Sequence, residues 1–115
     1  MTITTEELKE MIDNKEDYIL IDVRNKEELE HGMIPTAKHL YLDEIEEAFK
    51  LSEEEFENKY NFKKPSKEKL IILHCRTGAR SQAATDFLID RGYNAKNYQG
   101  SVQAWSLIDE NVHMY

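Results

Sequence analysis

One stretch of this sequence decides the fold: Leu70-Ile71-Ile72-Leu73-His74-Cys75-Arg76-Thr77-Gly78-Ala79-Arg80-Ser81. Its first four residues form the most apolar run in the chain, which predicts a central strand buried on both faces. A helix is predicted from Ser81 to just before Gly92, and its inner face comprises Ala83, Ala84, Phe87 and Leu88. Only a tight loop around Cys75 therefore separates the predicted strand from the predicted helix.

The rest of the chain alternates in the same way between short apolar runs and helical patterns. Thr4 with Glu7, and Ser52 with Glu55, have the spacing of capping boxes, which mark helix starts. The predicted strands are 18–21, 39–42, 70–73 and 97–98, and the predicted helices are 4–12, 25–31, 43–49, 52–60, 81–91 and 101–106. We therefore expect residues 1–115 to form one α/β domain of three layers, with a short, mostly parallel central sheet and helices on both faces.

Composition and charge exclude several function classes. Hydrophobic residues make up 40% of the chain and charged residues 33%, and the net charge is −8. An acidic chain is a poor general binder of nucleic acid, and no apolar run approaches the roughly 18 residues of a membrane span. The first residues contain no basic segment leading into an apolar stretch, so we expect a cytoplasmic protein.

The charge is distributed unevenly along the chain. Residues 43–60 carry eight acidic side chains against two lysines, a net charge of −6. Residues 75–106 carry four basic side chains against two aspartates, a net charge of +2. The segment that begins at the cysteine is therefore expected to attract anions.

Cys75 is the only cysteine, so the chain cannot form an internal disulfide. The same count excludes a second thiol that could resolve a covalent intermediate on Cys75. Any such intermediate must then be discharged by an external thiol or another external nucleophile. His31, His39 and His113 have no metal-ligand spacing with one another or with Cys75, so no metal is expected.

The loop around Cys75 has the features of an anion site. It lies beyond the carboxyl end of a predicted strand and at a helix N-terminus, where free N–H groups converge and the helix dipole favours negative charge. With the positive charges of Arg76 and Arg80, these features predict a thiol pKa below its ordinary value of about 8.5. His74 is interpreted as a core histidine without a catalytic role, because an acidic thiol needs no general base.

A free cysteine is more often a small buried apolar residue than a nucleophile. Two flanking arginines, a glycine and a helix start favour the nucleophile here. Gly78 is expected to let the backbone approach a ligand closely. Asp22 and Arg24 follow a strand directly, and we interpret them as structural, with Arg24 reaching Glu27 or Glu28.

Several motifs together resemble the rhodanese family, and the resemblance covers nearly the whole chain. In order, they are Asp22-Val23-Arg24 with Glu27-Glu28, Gly32-Met33-Ile34-Pro35-Thr36-Ala37, Cys75-Arg76-Thr77-Gly78-Ala79-Arg80-Ser81, and Gly100 to Trp105. The layout is most similar to that of the short single-domain members. Two residues depart from the family pattern, since Thr36 and Ser101 stand where glycine is usual.

The resemblance implies a sulfurtransferase that carries sulfur on Cys75 as a persulfide. Thiosulfate or another sulfane-sulfur donor would supply the sulfur, and cyanide, a small thiol such as glutathione, or a thioredoxin-like protein would accept it, with no cofactor. The residues expected to bind the substrate are Arg76, Thr77, Gly78, Ala79 and Arg80.

Two other functions stay open at this point. Cysteine phosphatases also have a cysteine loop that ends in arginine, but with five intervening residues, whereas four separate Cys75 from Arg80. No nearby aspartate is evident as a general acid for an alkoxide leaving group. A noncatalytic rhodanese-like module that binds a protein partner is the second alternative, although such modules often lack the cysteine.

Overall fold

Five parallel strands form the centre of the molecule. The computed structural model describes residues 2–115. The strands are β1 Thr2–Ile3, β2 Ile19–Asp22, β3 Lys38–His39, β4 Ile71–His74 and β5 Ala95–Tyr98. They lie side by side in the order β1-β5-β4-β2-β3, and every neighbouring pair is parallel. The apolar run around Ile72 thus lies in the middle of the sheet, as predicted.

Helices connect the strands. They are α1 Thr5–Asp13, α2 Ile45–Ala48, α3 Glu53–Tyr60, α4 Ala79–Asp90 and α5 Ser101–Trp105, with 3₁₀ helices at Glu27–His31 and Leu42–Glu44. Within residues 2–115, none of these helices has the length and apolar character that crossing a bilayer requires.

The strands carry apolar side chains on both faces because successive residues of a strand point in opposite directions. In β4, Ile71 and Leu73 belong to one core cluster and Ile72 to the other. The first cluster includes side chains of α2, α3 and α4, and the second includes side chains of α1 and α5. The predicted three-layer α/β arrangement is confirmed.

Both predicted capping boxes are present. The hydroxyls of Thr4 and Ser52 accept hydrogen bonds from the backbone three residues later, and Glu7 and Glu55 accept from the cap backbone in return. Local hydrogen bonds of this kind depend on the nearest neighbours in sequence, so spacing alone identifies them.

Other boundaries differ from the prediction. Asn25 and Glu28 exchange two hydrogen bonds as a capping box would, but the segment that follows is 3₁₀ rather than α. The predicted strand at 39–42 is the two-residue edge strand β3, and β1 was not predicted at all. Helix α4 begins at Ala79 rather than at Ser81, and Ala83 is exposed rather than on its inner face.

The two residues that replace the usual glycines have left-handed backbone conformations. Thr36 has φ +74° and Ser101 has φ +52°. The hydroxyl of Thr36 shares a hydrogen bond of 2.8 Å with the Tyr18 hydroxyl. Residues with side chains rarely adopt such φ values, and glycine tolerates them freely. Glycine is therefore preferred at these positions because of their backbone conformation. In this chain a threonine and a serine adopt the same conformation.

A buried ion pair follows β2. The guanidinium of Arg24 binds the carboxylate of Asp22, with Nη2 2.8 Å from Oδ2, and both side chains are fully buried. Arg24 also donates to the carbonyl oxygens of Glu28 and Gly32, at 3.2 and 2.8 Å. The structural interpretation of this arginine agrees with its position away from solvent.

The prediction that Arg24 reaches Glu27 or Glu28 is confirmed for Glu28. The guanidinium of Arg24 donates to the backbone carbonyl of Glu28. The Glu28 carboxylate is bound by Arg80. The contact of Arg24 with Glu28 joins residues four positions apart, so it can be predicted from the sequence. The contact of Arg80 with Glu28 joins residues 52 positions apart and arises from long-range packing.

We expect Arg24→Ala to lower the free energy of unfolding by about 3–5 kcal/mol, because it leaves the buried Asp22 carboxylate without its counterion. Urea denaturation of wild type and variant measures the difference. Lys9→Ala is a suitable control, since Lys9 and Asp13 form a pair that is more than half exposed and should contribute less than about 1 kcal/mol. Equal losses in the two variants would contradict a stabilising role for the buried pair.

Candidate active site

The Cys75 loop begins where β4 ends, beside the end of β2. The register pairs Asp22 of β2 with His74 of β4, so the two strands finish at the same level. Ligands bind at this edge in open α/β sheets. Cys75 is only 1% exposed, so a substrate atom has to reach into the loop to meet Sγ.

Hydrogen-bond donors converge on the sulfur of Cys75. The N–H of Gly78 lies 3.0 Å from Sγ, and the hydroxyl of Ser81 lies 3.5 Å from it. Burial raises the pKa of the Cys75 thiol, but the Ser81 hydroxyl and the N–H groups of Ser81, Gly78 and Thr77 outweigh it, so the pKa is lowered. The prediction of an acidic thiol is confirmed in direction.

The loop presents its N–H groups to the sulfur because its carbonyl groups are bound on the other side. The first amides of α5 donate outward to this loop, from Val102 to the Cys75 carbonyl at 3.2 Å and from Gln103 to the Arg76 carbonyl at 3.0 Å. The side-chain amide of Asn97 donates to the Gly78 carbonyl at 3.1 Å. Strand β5 and helix α5 therefore hold the loop in its concave form.

Two further hydroxyl contacts fix the ends of the loop. Ser101 Oγ accepts from the Cys75 N–H at 3.1 Å and donates to the Tyr98 carbonyl at 2.8 Å. The single proton of the Ser81 hydroxyl can be donated to Asn97 Oδ1 at 2.6 Å or to Sγ of Cys75 at 3.5 Å, but not to both at once. Both serines and Asn97 are completely buried, which strengthens such hydrogen bonds.

Gly78 is the one loop position where a side chain has no room. Its φ is +101°, and an added Cβ would lie 2.4 Å from the carbonyl oxygen of Gln99. The backbone that Gly78 approaches closely is that of the β5–α5 connection, and its close approach to a ligand stays a prediction. Gly78 also turns the chain directly into α4.

The two loop arginines have different surroundings. Arg80 forms a bidentate pair with Glu28, at 2.7 and 2.8 Å, and this pair lowers the pKa of Glu28 to about 2. Arg76 forms no salt bridge within residues 2–115. Its guanidinium carbon lies 4.9 Å from the centre of the Tyr115 ring. Arg76 thus keeps a charge that no salt bridge within residues 2–115 compensates, whereas the charge of Arg80, which also interacts with Cys75, is paired with Glu28.

His74 is fully buried beneath the loop. Its Nδ1 donates to the Cys75 carbonyl at 3.1 Å, and burial lowers the pKa of the ring. A neutral imidazole bound to a carbonyl has no path to the Cys75 thiol. The interpretation of His74 as a core histidine agrees with this geometry. In the described part of the chain no group of three His, Cys, Asp or Glu side chains could hold a metal ion.

Several residues of the site escaped the sequence interpretation. Ser81 lies in the cysteine motif, but the sequence does not indicate that it contacts the sulfur. Asn97 lies in the short predicted strand 97–98, and nothing in the sequence connects it with the loop. Ser101 was noted only as a departure from glycine. Tyr115 had no sequence signal, because its contact with Glu28 joins residues 87 positions apart.

The fold and the cysteine loop are those of a rhodanese-like domain. The family model described as "Rhodanese-like domain" matches residues 4–107. The chain therefore belongs to the rhodanese-like family, as the motifs predicted.

Two curated relatives and one solved structure specify the similarity further. A mitochondrial protein of Schizosaccharomyces pombe, provisionally named a thiosulfate sulfurtransferase, is 47% identical over 89 residues, which cover 76% of this chain and 63% of the relative. The mouse thiosulfate sulfurtransferase/rhodanese-like domain-containing protein 3 is 41% identical over 105 residues, which cover 90% of this chain and 66% of the relative. The chain thus spans slightly less than two thirds of the length of these two relatives.

The solved structure is that of a human single-domain sulfurtransferase. It superimposes with a TM-score of 0.89 at 30% sequence identity, and the match covers 94% of this chain and 96% of the human chain. The backbone of nearly all of that molecule is therefore similar to the backbone described above.

We expect Ser81→Ala to raise the pKa of Cys75, because the thiolate loses its hydroxyl donor while the thiol is little affected. The alkylation rate of Cys75 by iodoacetamide, followed from pH 5 to pH 10, should rise at higher pH in the variant than in wild type. Thr85→Ala is a matched control, since it removes a buried hydroxyl of the same helix that bonds to the Ser81 carbonyl and not to sulfur. Coincident curves for Ser81→Ala and wild type would contradict the assignment.

Proposed function

We propose that the protein transfers sulfane sulfur from thiosulfate, or a related donor, to a thiol or cyanide through a persulfide on Cys75. The observation that carries the proposal is the convergence of the Gly78 N–H and the Ser81 hydroxyl on the sulfur of the only cysteine. The family membership and the names of the relatives support the same activity. Because this chain spans less than two thirds of the length of each of those relatives, their substrates and partners are only proposed for it.

In the first half-reaction the Cys75 thiolate attacks the outer sulfur of thiosulfate. A sulfur–sulfur bond forms on Cys75, the sulfur–sulfur bond of thiosulfate breaks, and sulfite leaves with the electron pair. No proton has to be delivered to the leaving group, so this step needs no general acid. The lowered pKa of Cys75 favours the thiolate that this step requires.

The terminal sulfur of the persulfide then carries the negative charge. Loop N–H groups, together with the positive charge of Arg76, would stabilise that charge after the reaction as they stabilise the thiolate before it. Arg76 is also the cation best suited to attract the dianionic donor, because Arg80 is neutralised by Glu28. A direct contact of Arg80 with the donor stays a prediction.

In the second half-reaction an acceptor attacks the terminal sulfur, and Cys75 leaves as the thiolate. The acceptor must come from outside the chain, since Cys75 is the only cysteine. Because Cys75 is buried, the acceptor has to be small or to protrude from a larger molecule. Cyanide, a small thiol such as glutathione, and a protruding cysteine of a thioredoxin-like protein meet this condition. The cytoplasmic location stays a prediction, and the fission yeast relative is named as mitochondrial.

We expect thiosulfate alone, without an acceptor, to add the mass of one sulfur atom to the intact protein, and peptide mapping to locate it on Cys75. The reason is that the chain has no second thiol to expel the bound sulfur. Cyanide or excess glutathione should remove the added mass. Electrospray mass spectrometry of the native protein measures each state.

Cys75→Ser is the control, because it removes the nucleophile at nearly constant volume and should neither load nor turn over. The same experiment separates the rival functions. A phosphatase would hydrolyse an aryl phosphate and acquire no sulfur, and a binding module would do neither. Failure of reduced, alkylatable wild-type protein to load with several sulfane donors would refute the proposed activity.

We expect Arg76→Ala to lower kcat/KM for thiosulfate about 10²-fold, the size of effect typical of a lost charge-stabilising donor. Arg80→Ala should also lower it, because Glu28 then adds an uncompensated negative charge beside the loop. Arg80→Ala combined with Glu28→Gln removes both charges and should recover most of that second loss. Steady-state kinetics with cyanide as acceptor measures all three variants, and a double variant as poor as Arg80→Ala would mean that Arg80 contacts the donor itself.

A further inference from the structure

Residues 109–115 return to the 3₁₀ helix Glu27–His31 that follows β2. The N–H of His113 donates to the carbonyl of His31 at 2.8 Å. The backbone at Asn111 lies so close to Gly32 that a Cβ on the glycine would be 2.2 Å from the Asn111 carbonyl oxygen. Val112 is buried in the second core cluster. This segment is therefore packed on the domain and brings Tyr115 to a defined place.

The ring of Tyr115 lies near three side chains, of which the Arg24 guanidinium is the most distant, with its carbon 5.7 Å from the ring centre. It stacks on the imidazole of His31, with centroids 4.2 Å apart and planes within 11°. It also lies 4.9 Å from the guanidinium carbon of Arg76, within the range of a cation–π contact. The loop arginine without a carboxylate partner thus has an aromatic one.

The hydroxyl of Tyr115 reaches the other arginine of the loop indirectly. It donates to a carboxylate oxygen of Glu28, the residue that pairs with Arg80. It also accepts from Nη1 of Arg24 at 3.2 Å. One side chain therefore contacts Arg76 through its ring, and the Glu28–Arg80 pair through its hydroxyl.

We propose that Tyr115 is a positioning residue, which holds the Arg76 guanidinium at the mouth of the Cys75 loop and so sets the affinity for the anionic sulfur donor. The inference rests on the proposed function, in which Arg76 attracts thiosulfate. Tyr115 contacts neither Cys75 nor the donor in this role. It acts by limiting the orientations of a long, flexible arginine before the donor arrives, which reduces the entropy lost on binding.

The ring and the hydroxyl of Tyr115 contact different groups and are expected to affect donor binding differently. The ring contacts the free cation, so its loss should weaken donor binding without slowing the chemical step. The hydroxyl contacts a carboxylate that Arg80 already binds twice, so its loss should have little effect on the donor. Exposed or partly exposed cation–π contacts correspond to about a 3- to 5-fold effect.

The test compares Tyr115→Leu, Tyr115→Phe and Met114→Ala in the full chain. Met114 is the exposed neighbour in the same segment and serves as the control. We expect Tyr115→Leu to raise KM for thiosulfate about 3- to 5-fold at unchanged kcat, while Tyr115→Phe and Met114→Ala stay within 2-fold of wild type. An effect of Tyr115→Phe equal to that of Tyr115→Leu would overturn the role given to the ring.

A second measurement does not depend on sulfur transfer. The rate of Cys75 alkylation by anionic iodoacetate, divided by the rate with neutral iodoacetamide, reports the positive charge at the mouth of the loop. This ratio should fall about 3- to 5-fold in Tyr115→Leu. If both rates change equally, the substitution has distorted the loop and the proposal is wrong, whatever donor the protein uses.

Arg76→Lys keeps the proposal testable even if Tyr115→Leu does not fold. Lysine retains the charge but loses the planar group that lies over the ring. We expect the same rise in KM and the same fall in the alkylation ratio as for Tyr115→Leu. Wild-type values in Arg76→Lys would refute the need for a fixed, stacked cation. A wild-type protein that never loads sulfur, but shows the predicted alkylation ratios, would refute the sulfurtransferase assignment and leave the role of Tyr115 standing.

Discussion

The N–H groups of the Cys75 loop can face the sulfur only because the loop carbonyls are bound elsewhere. Each peptide unit of a tight loop points its N–H and its carbonyl in roughly opposite directions, and a buried carbonyl without a partner is costly. The amides of Val102 and Gln103 and the side chain of Asn97 supply those partners. The loop, α5 and the end of β5 thus form one hydrogen-bonded unit, and the chemistry of Cys75 depends on all three.

This constraint also accounts for the use of serine at position 101. The backbone there is left-handed, with φ +52°, which glycine would adopt more easily. Ser101 accepts the N–H of Cys75, the loop N–H that begins the turn away from β4. A glycine would relieve the backbone and leave that buried N–H without its partner. Ser101 therefore has a strained backbone conformation, and its hydroxyl in return binds the N–H of Cys75.

The electrostatics of the site depend on which charges are paired. Asp22 neutralises Arg24, and Glu28 neutralises Arg80, so two of the three arginines at this edge of the sheet mainly fix geometry. Arg76 keeps its full charge and lies on an aromatic ring. Within residues 2–115, an anion that approaches the loop meets one arginine without a salt bridge, Arg76, and a set of backbone N–H dipoles. Such a site favours a thiolate and a persulfide, whose charge lies on one terminal sulfur atom.

The sequence by itself determined the three-layer α/β fold, the central strand and both capping boxes, and it pointed to the cysteine as the candidate reactive group. These features follow from apolar periodicity, from contacts three residues apart, and from a cysteine count of one, all of which are local or compositional. Only the tertiary structure decided that the Glu28 carboxylate binds Arg80, that Asn97 and Ser101 support the loop, and that Tyr115 lies under Arg76. Those contacts join distant parts of the chain. They arise because parallel strands bring their carboxyl ends to one edge, where the segments that follow β2, β4 and β5 meet residues 109–115, and no pattern along the sequence encodes which side chains pair there.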